Sequence, residues 1–380
     1  MTAFAFATAG MIRFGRGEAV TAVPSLVALG ARVLLVTGAT PQRAAWLKDA
    51  LEAEGVAVTV FPVAKEPDVA LIESGVAVAR EAQVAAVIAI GGGAVVDAGK
   101  AIAALAPAKR PMLDHLEVVG KGLPLDAAPM PFAALPTTAG TGAEVTKNAV
   151  IAVPEAQRKV SLRDPRLLPT LAIVDPALTD NCPRGVTLAS GLDAVTQVIE
   201  PYLSSKANLL TDAICRDAIP KGLVAIRQIM AGEDPEARDA LAWVSLCGGL
   251  ALANAGLGVV HGLAGPLGGL SNAAHGAICG ALLPHGIRAN AAAGNTPVLA
   301  ARIAEVQGWI AQALGGAPDD AFDTLHDWPR EAGLPGLDAQ GITDAARAKA
   351  AKDAVSSSSM KANPVALSEA QLLDLMKRAR

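Results

Sequence analysis

Apolar and polar positions along the chain follow two different periods. In the first half, short apolar runs alternate with amphipathic stretches about 12 residues long, as in strand–helix repeats. The runs at Arg32–Thr37 (RVLLVT), 56–61, 84–90 (VAAVIAI), Phe132–Pro136 (FAALP) and 171–175 (LAIVD) are short, β-rich and closed by Gly or Pro. Such near-continuous apolar runs suit parallel strands buried on both faces. Helical spacing is read over 19–29, stopped by Gly30, and over 42–54, 68–81 and 94–106. Shorter extended pieces are read at 4–8, 11–14, 149–153 and 159–162. Strands alternating with helices predict βαβ units and a parallel sheet. From about Thr179 onward strand signals stop and Ala/Leu-rich helical segments take over. The pattern therefore predicts an α/β domain over 1–178 and an all-helical domain over 179–380.

One stretch stands apart from both patterns. Residues 240–287 contain no Asp, Glu, Lys or Arg, yet hold His261, His275 and His285. A membrane helix needs roughly 20 continuous apolar residues. Here Asn254, His261, Pro266, Ser271, Asn272 and His275 interrupt the run. Buried helices carrying polar groups towards a site are the better reading, since a buried imidazole must find a partner. The carboxylate that such histidines need is Asp193, in the mostly apolar helix 188–203, with Gln197 one turn away on the same face.

Composition narrows the functional classes. The 380 residues carry a formal charge of −4, with basic residues scattered, so neither nucleic acid nor an anionic membrane surface is expected as a partner. The sequence is 52% hydrophobic but 3% aromatic, so the core must be aliphatic. Cys182, Cys215, Cys247 and Cys279 form no CxxC pair and read as buried free thiols of a reducing compartment. The N-terminus lacks the layout of a signal peptide, and a cytoplasmic protein is expected. His115 and His326 lie in charged surroundings and read as surface residues.

Two glycine-rich turns carry the candidate cofactor chemistry. Gly91, Gly92 and Gly93 follow a predicted strand and open a helix, an arrangement that presents backbone N–H groups to a phosphate. The run is neither GxGxxG nor a Walker loop. Thr137, Thr138, Gly140, Thr141 and Gly142 follow the next strand, with hydroxyls suited to a diphosphate or ribose. Two such strand ends in one sheet favour a nucleotide site beyond the carboxyl ends of the strands.

Five blocks resemble, in order, the signatures of the iron-containing (group III) alcohol dehydrogenase family. They are GGGAVVDAGKAIA (91–103), LPTTAGTGAEVT (135–146), ASGLDAVTQVIEPYLS (189–204), VVHGLAGPLGGLSNAAHGAICGALLPH (259–285) and SSSSMKANPVALSEAQL (356–372). The resemblance implies the fold shared with dehydroquinate synthase: an α/β dinucleotide domain, an all-helical domain and a metal in the cleft between them. It implies NAD or NADP as cofactor, Fe²⁺ or Zn²⁺ as metal, a small alcohol or aldehyde as substrate and a homodimer. It places Gly38, Gly91, Gly92, Gly93, Asp97, Thr137, Thr138, Thr141, Lys159, Leu178 and Thr179 along the cofactor. It assigns Asp193, His261 and His275 to the metal and through it to catalysis, and leaves His285 either behind the ligands as a support or purely structural.

The chain departs from the family pattern at three positions. Where the family has a third metal-binding His, four residues after the Asp, this chain has Gln197. Amide oxygen is a poorer ligand than imidazole, so the implied site is Asp193, His261 and His275, completed by Gln197 or water. A further family His is replaced by Gly265, which removes a proton-relay group and widens the pocket. Many members carry Asp after the first strand of the sheet, where it repels a 2′-phosphate; Gly38 stands there and permits NADP. Three functional readings follow: a metal-dependent alcohol dehydrogenase or aldehyde reductase, a metal-free reductase of the maleylacetate type, and a lyase related to dehydroquinate synthase.

Overall fold

The computed structural model describes residues 3–355 and 357–380. Ser356, the first residue of the fifth block, lies outside them. The chain divides into two compact units. One comprises residues 8–138 and 143–179, the other residues 1–7, 139–142 and 180–380.

The first unit is built on a six-stranded sheet, parallel at every pairing, with order β1-β8-β5-β4-β2-β3. The strands are β1 (Met11–Phe14), β2 (Arg32–Thr37), β3 (Ala57–Pro62), β4 (Ala86–Gly91), β5 (Phe132–Pro136) and β8 (Leu171–Val174). Between β5 and β8 the chain makes a separate antiparallel hairpin of β6 (Asn148–Val153) and β7 (Arg158–Arg163). The runs read as strands at 149–153 and 159–162 thus pair with each other and not with the sheet. Central β4, β5 and β8 are buried along their whole length, while the edge strands β1 and β3 are half exposed. The near-continuous apolar runs thus belong to the strands covered on both faces.

Alternation along those strands splits the core in two. Leu34, Val36, Val87, Ala89 and Ala134 pack on one face, with Ile72 and Val76 of α4 (Val69–Glu81) and Val96 and Ile102 of α5 (Gly93–Leu105). Val33, Leu35, Ile88, Ile90, Ala133 and Leu135 pack on the other. They meet Ala19 of α1 (Glu18–Thr21), Leu26 of α2 (Val23–Val27) and Leu47 and Leu51 of α3 (Ala45–Ala53). A short helix α6 (Met112–His115) precedes β5.

Three local expectations are corrected. The helix read over 19–29 is two short helices, because Pro24 has no N–H to continue the first and suits the first turn of the second. Residues 4–8 form no strand; Ala7 is paired instead by the Asn254 side chain, which accepts from its N–H at 2.7 Å and donates to its carbonyl at 2.9 Å. His115 is buried rather than exposed, with Nδ1 3.0 Å from the Leu123 carbonyl.

The second unit is helical: α7 (Arg184–Leu203), α8 (Leu209–Ala231), α9 (Pro235–Ala255), α10 (Val259–Leu270), α11 (His275–Ala293), α12 (Pro297–Leu314), α13 (Ala321–Glu331), α14 (Asp344–Ala354) and α15 (Glu369–Arg378). Helix α7 runs through its core and packs against α8, α9 and α11. The charge-free stretch supplies most of α9, all of α10 and the first two thirds of α11. Among the described residues no single helix is long and apolar enough to cross a membrane. Helices α9 and α10 reach that length only together, across a bend of 100°.

Candidate metal centre

Four buried or half-buried side chains of the helical unit meet at one point. The donor atoms of Asp193 on α7, His261 on α10, and His275 and Cys279 on α11 all lie within 4.8 Å of one another. Asp193 Oδ1 is 3.2 Å from His261 Nε2 and 3.8 Å from His275 Nε2. Cys279 Sγ is 3.6 Å from His275 Nε2. Asp193 and His261 are 2% and 6% exposed. Yet neither Asp193 Oδ1 nor His261 Nε2 has a hydrogen-bond partner. Buried polar atoms without partners cost about 1–3 kcal/mol each. Two of them turned towards each other, beside a second imidazole and a thiol, fit the donor set of a divalent cation.

Local structure explains how each donor is aimed. His275 opens α11, and Cys279 follows one turn later on the same face. Gly276 lets α11 approach α7: a Cβ there would lie 2.3 Å from the Ala189 carbonyl oxygen. His261 is held from behind by Glu200, whose Oε2 lies 2.6 Å from its Nδ1. With Nδ1–H donating to that carboxylate, the imidazole is held so that Nε2 faces Asp193 and would offer its lone pair to a bound cation, as partners behind a ligating imidazole usually arrange. Glu200 also accepts from the Val260 N–H at 2.6 Å, and Asn363 Oδ1 accepts from the Val259 N–H at 3.0 Å. These two side chains cap α10, whose own N-cap residue, Gly258, has no side chain to do so. Burial pushes Asp193 up, but His275, His261 and Cys279 hold it below the usual carboxylate range. Burial pulls both imidazoles down, and the nearby Cys279 and Asp193 outweigh it, raising His261 well above its ordinary value and His275 to about 9.

Gln197 has a different task. Its Nε2 donates to the Gly140 carbonyl at 2.8 Å, and the Gly140 N–H donates to Ser245 Oγ at 2.8 Å. Residues 139–142 are thereby tied into the helical unit. Gly142 sits there at φ +57°, where a Cβ would fall 2.5 Å from Gly249 and the Ser245 carbonyl. The fourth donor within reach of the others is Cys279, read from the sequence only as a buried thiol. Its spacing of four from His275 was the available signal. His285 stands apart from the group and pairs with His326, with 3.0 Å between Nε2 and Nδ1. Burial and the neighbouring His326 and Arg288 push His285 down to about 4. His326 is therefore half buried in a histidine pair, not the free surface residue its surroundings suggest.

The candidate cofactor residues divide by position. Gly38 follows β2, Gly91 ends β4, and Thr137 and Thr138 follow β5, so all lie at the carboxyl edge of the parallel sheet. Strand order reverses between β2 and β4, the place where α/β sheets open a crevice for ligands. Gly92 caps α5 with no side chain, leaving its first N–H groups outward. A Cβ on Gly91 would lie 2.5 Å from Val95, and one on Gly92 3.4 Å from the Thr138 side chain. The Thr137 N–H donates to the Gly91 carbonyl at 2.9 Å, locking the two turns together. Leu178 and Thr179 lie in a short turn after β8, where the Thr179 hydroxyl donates to the Pro176 carbonyl at 2.8 Å. Asp97 on α5 accepts from the Val150 N–H of the hairpin at 3.1 Å. Lys159 on β7 forms an ion pair with Glu66. Thr141 lies in the 139–142 segment, in the helical unit.

Comparison with known proteins agrees with this architecture. The family described as "Iron-containing alcohol dehydrogenase" matches residues 9–176, and "Fe-containing alcohol dehydrogenase family, C-terminal" matches residues 187–380. The chain is 35% identical over 283 residues to lactaldehyde reductase of Escherichia coli (strain K12), covering 73% of each. It is 31% identical to NAD-dependent methanol dehydrogenase of Bacillus methanolicus across 100% of both chains. The crystal structure of a 1,3-propanediol oxidoreductase superposes with a TM-score of 0.90 at 28% identity, covering 100% of each chain. The chain belongs to the iron-containing alcohol dehydrogenase family, oxidoreductases acting on CH–OH groups.

Proposed function

We propose that the protein is a metal-dependent, nicotinamide-linked dehydrogenase of small alcohols, acting in reverse as an aldehyde reductase. The observation that carries this reading is the buried pair Asp193 Oδ1 and His261 Nε2, which face each other at 3.2 Å with no hydrogen bond made to either, beside His275. A bound divalent cation supplies Lewis-acid polarisation of the substrate oxygen, and the nicotinamide supplies or accepts the hydride. The chain's own residues do the rest. Asp193 contributes the anionic donor. Glu200 fixes which nitrogen of His261 faces the site. The N–H groups at the start of α5 suit a diphosphate, and the Thr137 and Thr138 hydroxyls suit its oxygens or a ribose. Gly38 has no atom within 4 Å of a notional Cβ, which leaves room for the 2′-phosphate of NADP as well as for NAD. Gly265, one turn after His261, likewise meets nothing within 4 Å, and supports a small to medium uncharged substrate.

Metal analysis of gently purified protein, combined with NADH and NADPH oxidation on short aldehydes, tests the reading. About one metal per chain, loss of turnover on chelation and recovery on metal return are expected. Full activity without metal would instead favour a reductase of the maleylacetate type. Absence of any nicotinamide turnover with simple carbonyls would point to the lyase chemistry of dehydroquinate synthase.

A further inference from the structure

We propose that Cys279 supplies the fourth donor of the metal centre, replacing the imidazole absent at Gln197, and so makes a thiolate-bearing site that prefers zinc to iron. The inference rests on the metal reading given above.

Geometry carries it. A tetrahedral centre with bonds of about 2.0–2.1 Å to N or O and about 2.3 Å to S has donor–donor edges of roughly 3.4–3.6 Å. The edges here are 3.2 Å for Asp193 to His261, 3.8 Å for Asp193 to His275 and 3.6 Å for His275 to Cys279. Every other edge is within 4.8 Å. Helix periodicity makes the arrangement. The His four residues after the Asp on α7 is gone, and the Gln197 amide there is committed to Gly140. The same spacing of four recurs on α11, where Cys279 follows His275. Cys215 and Cys247 are buried in the same helical core but lie outside the donor group.

Exchanging an imidazole for a thiolate changes the chemistry of the centre. A carboxylate and three imidazoles leave a dication with one net positive charge; a carboxylate, a thiolate and two imidazoles neutralise it. Softer donors select zinc over iron, and a zinc centre accepts a fifth ligand when substrate binds.

The test is cobalt substitution of the chelator-treated full-length protein, read by absorption, on wild type, Cys279→Ser and Cys279→Ala. Wild type is expected to show visible ligand-field bands together with a near-ultraviolet thiolate-to-cobalt charge-transfer band. Cys279→Ser is expected to keep the ligand-field bands and lose the charge transfer. Its zinc affinity is expected to fall by more than the ~10–100-fold that loss of an outer-shell partner costs, with iron affinity much less affected. Zinc-edge X-ray absorption of wild type, which needs no variant to fold, is expected to show a sulfur neighbour at about 2.3 Å. Ligand-field bands without charge transfer, or a charge-transfer band that survives in both variants, would overturn the Cys279 assignment and leave the metal reading standing. A folded wild type that binds neither cobalt nor zinc would overturn both.

Discussion

Glu200 shows how one residue can set the chemistry of another 61 positions away. Its carboxylate takes the Nδ1 side of His261 and the first N–H groups of α10 together. Replacing it by Gln keeps the shape but weakens the hold on the imidazole. Metal affinity of Glu200→Gln, measured by chelator competition, is expected to fall about 10–100-fold with the circular-dichroism spectrum unchanged; an unchanged affinity would reduce Glu200 to a helix cap. Glu144 offers a different residue-scale test. It is buried in the sheet unit, and burial, only partly offset by Lys100, pushes its carboxyl up to about 7. The folded state therefore holds a proton that the unfolded state has released between about pH 4.5 and pH 7. Its stabilisation is complete below about pH 4.5 and is lost as pH rises through about 7, a change of order 3 kcal/mol. Denaturant midpoints of Glu144→Gln across that window are expected to slope less with pH than those of wild type, and parallel slopes would refute the assignment. Lys100 beside it is pulled down by burial to about 8. It retains donors to the carbonyls of Ala143, Thr146 and Asn148 at 2.7–3.0 Å, so its own window lies higher.

Between elements, the decisive contact is α11 on α7. Asp193 comes from one and His275 and Cys279 from the other, so their separation is set by how closely two backbones approach. At Gly276 a methyl group would meet the Ala189 carbonyl at 2.3 Å and Asp193 Cβ at 3.2 Å. Gly276→Ala is thus expected to push the start of α11 outward, costing roughly 1–3 kcal/mol of stability and a larger share of metal affinity. Thermal melts with and without zinc measure both. A variant that loses stability yet binds zinc as tightly as wild type would show that the helix contact does not position the donors. At the sheet, Gly91 plays the comparable part, letting α5 turn back directly over the end of β4.

For the whole molecule, the four clustered metal-donor candidates belong to the helical unit and Gly91, Gly92 and Gly93 to the sheet unit, while the second glycine-rich turn is divided, its residues 139–142 going with the helices. Zinc at 100 times its dissociation constant stabilises the state that binds it by about 2.7 kcal/mol. Added zinc is therefore expected to raise the midpoint of the transition that loses helical signal, and Asp193→Ala to abolish the rise. An equal rise in Asp193→Ala would place the bound metal elsewhere. The helical unit also shows what a charge-free stretch of chain is for. Much of 240–287 packs into a helical core, and its histidines meet polar groups on other helices, His261 and His275 at Asp193 and His285 at His326, with His275 the part-exposed one.

Much of this was already determined by the sequence. Local periodicity is a short-range property, so Arg32–Thr37 and Phe132–Pro136 were legible as strands to the residue, and among the described residues every element after β8 is helical. The resemblance named Asp193, His261 and His275 because motif spacing within each block survives without knowledge of the fold. Tertiary structure alone decided the rest, because those contacts join residues far apart in sequence. It sent residues 149–153 and 159–162 into their own hairpin, tied Gln197 to Gly140 and buried His115. It set Glu200 and Asn363 as caps of α10 from 60 and 104 residues away. It left Cys182 half-buried where a buried thiol was expected, and made Cys279, one of three thiols that are buried, a neighbour of His275 and Asp193, since only the packing of α11 on α7 and α10 brings their donor atoms to one point.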